Sequence, residues 1–257
     1  MAAKTNDGEI SVLEIQQGVV EFCILGASPL IMNRMSEKAK RELLMPKGRK
    51  TTAERAQSLK HEPISEHRAS VYRDSDPGAL TRLSFPATGF KGAMMTAALD
   101  LPGARKSEIG RLVWTEGYSI GIYGVPRLLM SAVRSADMNR TPDIRTRAIL
   151  PEWACRVRIR FVRPRLREQT VANLLAAAGI TVGVGDFRQE KGKGNFGQFG
   201  LASADDADFV RIVAQGGAAA QDEALANPLP HDEESEELLS WFSAEVTRLH
   251  GNRKEAA

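Results

Sequence analysis

The stretch from Gly183 to Phe199, GVGDFRQEKGKGNFGQF, brings five glycines, three cations and three aromatic rings into one short segment. Glycines let backbone amides approach a phosphate closely. Arg188, Lys191 and Lys193 supply positive charge, and Phe187 and Phe196 offer faces on which bases can stack. The expected chemistry is the grip of a nucleic-acid backbone by Gly183, Gly185, Gly192, Gly194 and Gly197 with those five side chains. The segment is not a Walker A loop, because Gly194 rather than Ser or Thr follows Lys193, and its glycine spacing does not fit a dinucleotide fingerprint. A second run, Phe85-Pro-Ala-Thr-Gly-Phe-Lys-Gly-Ala-Met-Met95, places Lys91 and two glycines at the start of a helix. Free amides and the helix dipole favour an anion there.

Other cations cluster in two charged excursions: Arg34, Lys47, Arg49 and Lys50 in the first, and Arg140, Arg145 and Arg147 in the second. The strand pattern at 153–162 sets Arg156, Arg158 and Arg160 on one face, where three adjacent arginines repel unless water or an anion separates them. Catalytic patterns are missing from the sequence. The four histidines, His61, His67, His231 and His250, form no HExxH pair, and there is no Cys-x-x-Cys, so neither a metal site nor a cofactor is expected. Turn chemistry accounts for Asp74 and Asp76 around Asp76-Pro77-Gly78.

These residues need a scaffold, and periodicity supplies one. Residues 18–26 alternate as a strand, and a helix runs from a Thr88 cap through Phe90, Met94, Ala97 and Leu101 to Pro102-Gly103. Residues 117–123 and 153–162 read as strands, Val171 to Ala178 as a helix ended by Gly179, and Phe196 to Leu201 as a last strand. The order is β-α-β-β-α-β, so the fold class is α+β: a ferredoxin-like (RNA-recognition-like) core with an antiparallel sheet and two long insertions. The first insertion, 33–82, carries helical patterns at 36–45 and 52–60 and closes in a hairpin of 69–73 with 79–85. The second, 125–151, is a basic hairpin of RLLMSAVR with DIRTRAIL.

In this order and placement the PxxxFKGA run resembles the helix-opening lysine motif of the RAMP superfamily, and Gly183 to Phe199 resembles its glycine-rich loop. The likeness is to the guide-RNA-binding backbone subunit of multi-subunit CRISPR effectors. It implies a palm over 1–203, fingers at 33–82, a thumb hairpin at 125–151, and a non-catalytic role on single-stranded nucleic acid, RNA foremost. The implied partners are copies of the chain in a head-to-tail array and other effector subunits. Two alternatives stay open: a solitary phage or mobile-element homologue coating single-stranded DNA, and a RAMP endoribonuclease using His61, His67 or an insertion aspartate.

Bulk composition fits this reading. Residues 1–199 hold 31 Lys and Arg against 20 Asp and Glu, a charge of +11, whereas residues 200–257 hold 4 against 12, a charge of −8. A basic body points to a polyanionic ligand. The acidic 204–257 extension, with one amphipathic helix at 235–249, is expected to occupy the basic groove when no nucleic acid is present. The first residues carry Lys4, Asp7 and Glu9 where a secretory signal needs an apolar run, and no stretch is long enough to span a membrane. A cytoplasmic protein is expected, with Cys23 and Cys155 as small residues within strands.

Overall fold

The computed structural model describes residues 14–35, 40, 43–45, 61–134, 142–191 and 194–255. The long strand β1 (Gln16–Gly26) is paired along its length with β9 (Ala154–Arg163) and, at its end, with β10 (Phe199–Ala202). The other side of β9 takes β5 (Val113–Thr115) and β6 (Ser119–Tyr123), and β6 continues through β4 (Leu83–Pro86) to β3 (Tyr72–Arg73). All of these pairings are antiparallel. The core strands therefore lie fourth, first, third, second across the sheet, the order that a β-α-β-β-α-β chain adopts.

Helices α2 (Ala87–Ala97) and α4 (Glu168–Thr181) lie side by side on one face. Their buried Phe90, Met94, Val171, Leu174 and Leu175 form one core with Ile24, Cys155, Val157, Ile159 and Phe161 of the strands. Thr88 is not the cap of α2: the helix begins one residue earlier, behind Pro86, whose fixed φ suits the entry to a helix. Nor does Gly179 end α4. A Cβ there would stand 2.0 Å from the Phe199 carbonyl oxygen, so Gly179 is a packing glycine inside the helix, and the residue beyond the C-cap is Gly183, at φ +74°. Burial pushes the Cys155 thiol far up, keeping it protonated and inert.

The two insertions are built together. The second forms β7 (Arg127–Arg134) and β8 (Pro142–Leu150), and β2 (Leu30–Met32), at the entry to the first insertion, adds to β8 as a third strand. The hairpin expected from 69–73 and 79–85 is present in shorter form, as Tyr72–Arg73 with Leu83–Pro86, its turn held by Asp74 and Asp76 carboxylates that accept the amides of Asp76 and Gly78. An unforeseen helix α1 (Pro63–Ala69) packs on β8. The expected helix at 52–60 lies outside the described residues, as does most of 36–45.

α1 buries His67, and that burial, aided by the nearby charges of Arg68 and Arg73 against a smaller opposing pull from the Arg147 backbone, lowers its pKa to about 4. The unfolded chain, at about 6.5, then binds more protons than the folded one between those values. Stability is full above pH 6.5 and falls by about 3 kcal/mol as pH drops to about 4. Denaturant titrations at pH 7 and pH 4.5 should show this loss in the parent and a smaller one in His67→Leu. Equal losses would exclude His67 as the cause.

After β10 the chain forms three helices rather than one: α5 (Ala207–Gln215), α6 (Ala218–Ala226) and α7 (Glu233–Glu255). Phe209 and Ile212 of α5 bury against Ala154, Cys23, Leu25 and Tyr123, on the sheet face opposite α2 and α4. α6 sends Gln221 between the strands, and α7 packs on β7, where Ser235 bonds to the backbone of Met130. The C-terminal segment thus docks on the sheet face and the accessory strands.

Candidate nucleic-acid interface

A cleft of about 360 Å³ runs between the opening turns of α2 and the start of the glycine-rich loop. Pro86, Thr88, Gly89, Gly92 and Thr96 make one wall, and Val182 to Gly185 with Arg188 and Glu190 make the other. The two segments singled out by their residue types, a hundred positions apart, therefore face each other. They meet because α2 and α4 pack side by side and the loop leaves the C-terminal end of α4. No side chain caps α2. Its first amide donates to the Tyr118 carbonyl (3.0 Å), and Thr88 and Gly89 of the same turn line the cleft.

The loop is fixed by a half-buried ion pair. Asp186 accepts from Arg147 Nη1 (2.6 Å) and Asn33 Nδ2 (2.9 Å) through one carboxylate oxygen, and from the Phe187 amide (2.9 Å) through the other. Its own amide donates to the Ile31 carbonyl, and Arg147 Nη2 donates to Ser131 Oγ (3.0 Å). β2, β7 and β8 are thus tied to the loop through one carboxylate. Arg147, expected to reach the strand from the thumb hairpin, is instead 7% exposed and spent on Asp186, so it positions the loop.

Glycine plays a different part from the one its phosphate-binding reputation implies. A Cβ on Gly194 would lie 1.5 Å from the Phe187 carbonyl oxygen, and one on Gly197 would lie 1.7 Å from that of Val184. Gly197 also sits at φ +73°, where its carbonyl accepts from the Val184 amide and its amide donates to the Pro29 carbonyl. These glycines, with Gly183 and Gly185 at positive φ, let the loop pack on itself and on β2. Gly92 differs: nothing lies within 4 Å of a Cβ built there, so its face of the helix is open space along the cleft.

Charge is distributed otherwise than the sequence implied. Lys91 stands on α2 but not among the residues lining the cleft, and Lys106, at the start of α3 (Lys106–Leu112), lines it instead. Nothing in the sequence distinguishes Lys106 from other lysines. Arg188 pairs with Glu190 (2.7 Å) and donates to the Gly185 carbonyl (3.0 Å), so much of its charge is neutralised locally. Arg145 is exposed on β8, away from the cleft lining. Phe187 is half exposed, with its ring 6.1 Å from that of Phe196. Lys191 falls in a short 3-10 turn, while Gly192, Lys193, Lys47, Arg49 and Lys50 lie outside the described residues, as does Arg140.

The arginine row on β9 is not a free cationic face. Glu116, in the β5–β6 turn, binds Arg158 (3.2 Å) and Arg160, Glu21 lies 3.7 Å from Arg156, and the Arg156 guanidinium sits over the Phe209 ring of α5. Neighbouring carboxylates supply the screening that an anion was expected to supply. His61 is likewise occupied, with its two ring nitrogens 3.0 Å from Glu66 Oε1 and 3.0 Å from Asp143 Oδ1. Both sites of proton exchange are engaged by carboxylates that tie α1 to β8. Among the described residues no cluster of His, Cys, Asp or Glu fits a metal ion, and no helix is long and apolar enough to cross a membrane.

No family model and no curated protein matches the sequence. Among solved structures the chain is similar to a chain of the Type III-B Cmr-beta bound to cognate target RNA, at 13% identity and a TM-score of 0.37, covering 73% of this chain and 59% of that one. It is also similar to Cmr6 from Pyrococcus furiosus, at 10% identity and a TM-score of 0.35, covering 73% of this chain and 98% of that one. The chain spans less than two thirds of the first of these.

Proposed function

We propose that this chain binds single-stranded nucleic acid, RNA in the first instance, as a non-catalytic RAMP-like subunit of a CRISPR-type ribonucleoprotein. The observation that carries the reading is the cleft, in which the uncapped first turn of α2, the glycine-rich loop and Lys106 meet on a body of charge +11, with the exposed Phe187 ring in the same loop. Backbone phosphates would lie along α2 and the loop, and bases would turn outward towards Phe187. Copies of the chain and other subunits would add along the strand, and exposed Leu43, Leu44, Met45 and Trp241 offer apolar surface for such contacts.

Fluorescence anisotropy on a labelled oligoribonucleotide tests this. Single strands should bind in preference to duplex, with log K falling by about 0.7 per log unit of salt for each phosphate contact. Lys106→Ala should weaken binding to all sequences alike and flatten that slope by about one contact. Preference for duplex, or affinity indifferent to salt, would refute the reading.

A further inference from the structure

Tyr118 is 99% exposed and occupies the turn between β5 and β6. A solvated tyrosine ring forgoes the large apolar burial that makes aromatic residues useful, and Asp, Asn or Ser would make this turn equally well. The backbone beneath the ring is nevertheless tightly held. The Glu116 amide donates to the Arg158 carbonyl (2.9 Å), the Glu116 carboxylate grips Arg158 and Arg160, and the Tyr118 carbonyl accepts from Ala87 at the start of α2. Tyr118 is therefore fixed beside Pro86 and Thr88, where α2 walls the cleft.

The opposite wall carries a similar arrangement. Phe187 has φ +52°, a left-handed conformation rare outside glycine, and is anchored by its amide bond to Asp186 while 47% of its surface stays in solvent. A solvent-facing aromatic ring on a fixed backbone thus stands beside each wall of the cleft, Tyr118 next to the start of α2 and Phe187 between Gly185 and Arg188 of the loop. Stacking of this kind is open to unpaired bases and closed to the stacked interior of a duplex.

We propose that Tyr118 is a base-stacking residue, pairing with Phe187 across the cleft to hold unpaired nucleobases of the strand whose backbone lies between them. The inference rests on the cleft being the strand-binding site, and it identifies the feature that selects single strands. Tyr118→Ala should bind an oligoadenylate about tenfold more weakly than the parent, and Tyr118→Trp should restore affinity. An abasic ribose-phosphate strand of equal length should bind parent and Tyr118→Ala alike, with the same salt slope. Melting temperatures should agree, because the ring touches nothing whose loss would unfold the chain. Parent-like binding of oligoadenylate by Tyr118→Ala, while Lys106→Ala binds weakly, overturns the role of Tyr118 and leaves the cleft standing. Failure of the parent to bind either strand overturns both.

Discussion

Replacing Gln221 by Leu is expected to remove about 4 kcal/mol of folding stability and to lower the melting temperature by about 10 °C. The side chain is fully buried and makes five hydrogen bonds. Its oxygen accepts from the amides of Arg82 (2.6 Å) and Leu83 (2.8 Å), and its nitrogen donates to the carbonyls of Ile122 (2.7 Å), Gly124 (3.1 Å) and Gly216 (2.8 Å). Leucine fills the space but leaves backbone groups of β4 and β6 unpaired in an apolar surrounding, where each costs about 1 to 3 kcal/mol. Gln221→Glu should do no better, because it deletes the donor that serves three carbonyls. Denaturant unfolding measures both variants, and a loss below about 1 kcal/mol would show that the C-terminal helices merely lie against the sheet. The same contact bears on the acidic segment. Arg82 of the body pairs with Asp222 of α6 and Arg211 of α5 pairs with Glu152 of the body, so both pairs serve docking of the segment, and the Glu152 carboxyl is held below the usual carboxylate range by Arg211.

Asp186→Ala should cost about 3 kcal/mol and weaken strand binding together with it. The substitution leaves the Arg147 guanidinium nearly buried with no counter-charge, and it releases the Phe187 amide and Asn33 from the loop. A compensated pair separates the two effects. In Arg147→Met with Asp186→Leu no charge is stranded, so most of the stability should return. The loop loses its tie to β2, β7 and β8 all the same, and binding should stay weak. Recovery of full affinity in the double variant would mean that the ion pair serves stability alone and that the loop finds its conformation without it.

Elements with strong periodicity were legible in the sequence. Alternation on Cys155, Val157, Ile159 and Phe161 gave β9, and the RLLMSAVR and DIRTRAIL segments gave β7 and β8. The two halves of the cleft were legible as well, because glycine, cation and aromatic residues concentrate there. What partner those residues choose was not legible. Arg147 and Arg145 look alike in sequence, yet one is buried on Asp186 and the other faces solvent. Gly179 and Gly183 both suit a helix end, and only the approach of the Phe199 backbone to Gly179 decides between them. Gln221 stands in an alanine-rich run that shows nothing of the sheet edge it completes, and Lys106 enters the cleft only through the packing of α3 beside α2.

Gly92 permits the most direct test of the cleft, because a Cβ built there has open space around it on the wall that the strand would occupy. Gly92→Ala should raise stability by about 0.5 to 1 kcal/mol through helix propensity and leave affinity for an oligoribonucleotide near the parent value. Gly92→Glu should fold as well as the parent, yet bind at least about tenfold more weakly at every sequence, since it places both bulk and negative charge against the phosphates. Parent-like affinity in a folded Gly92→Glu protein would place the strand elsewhere and contradict the account.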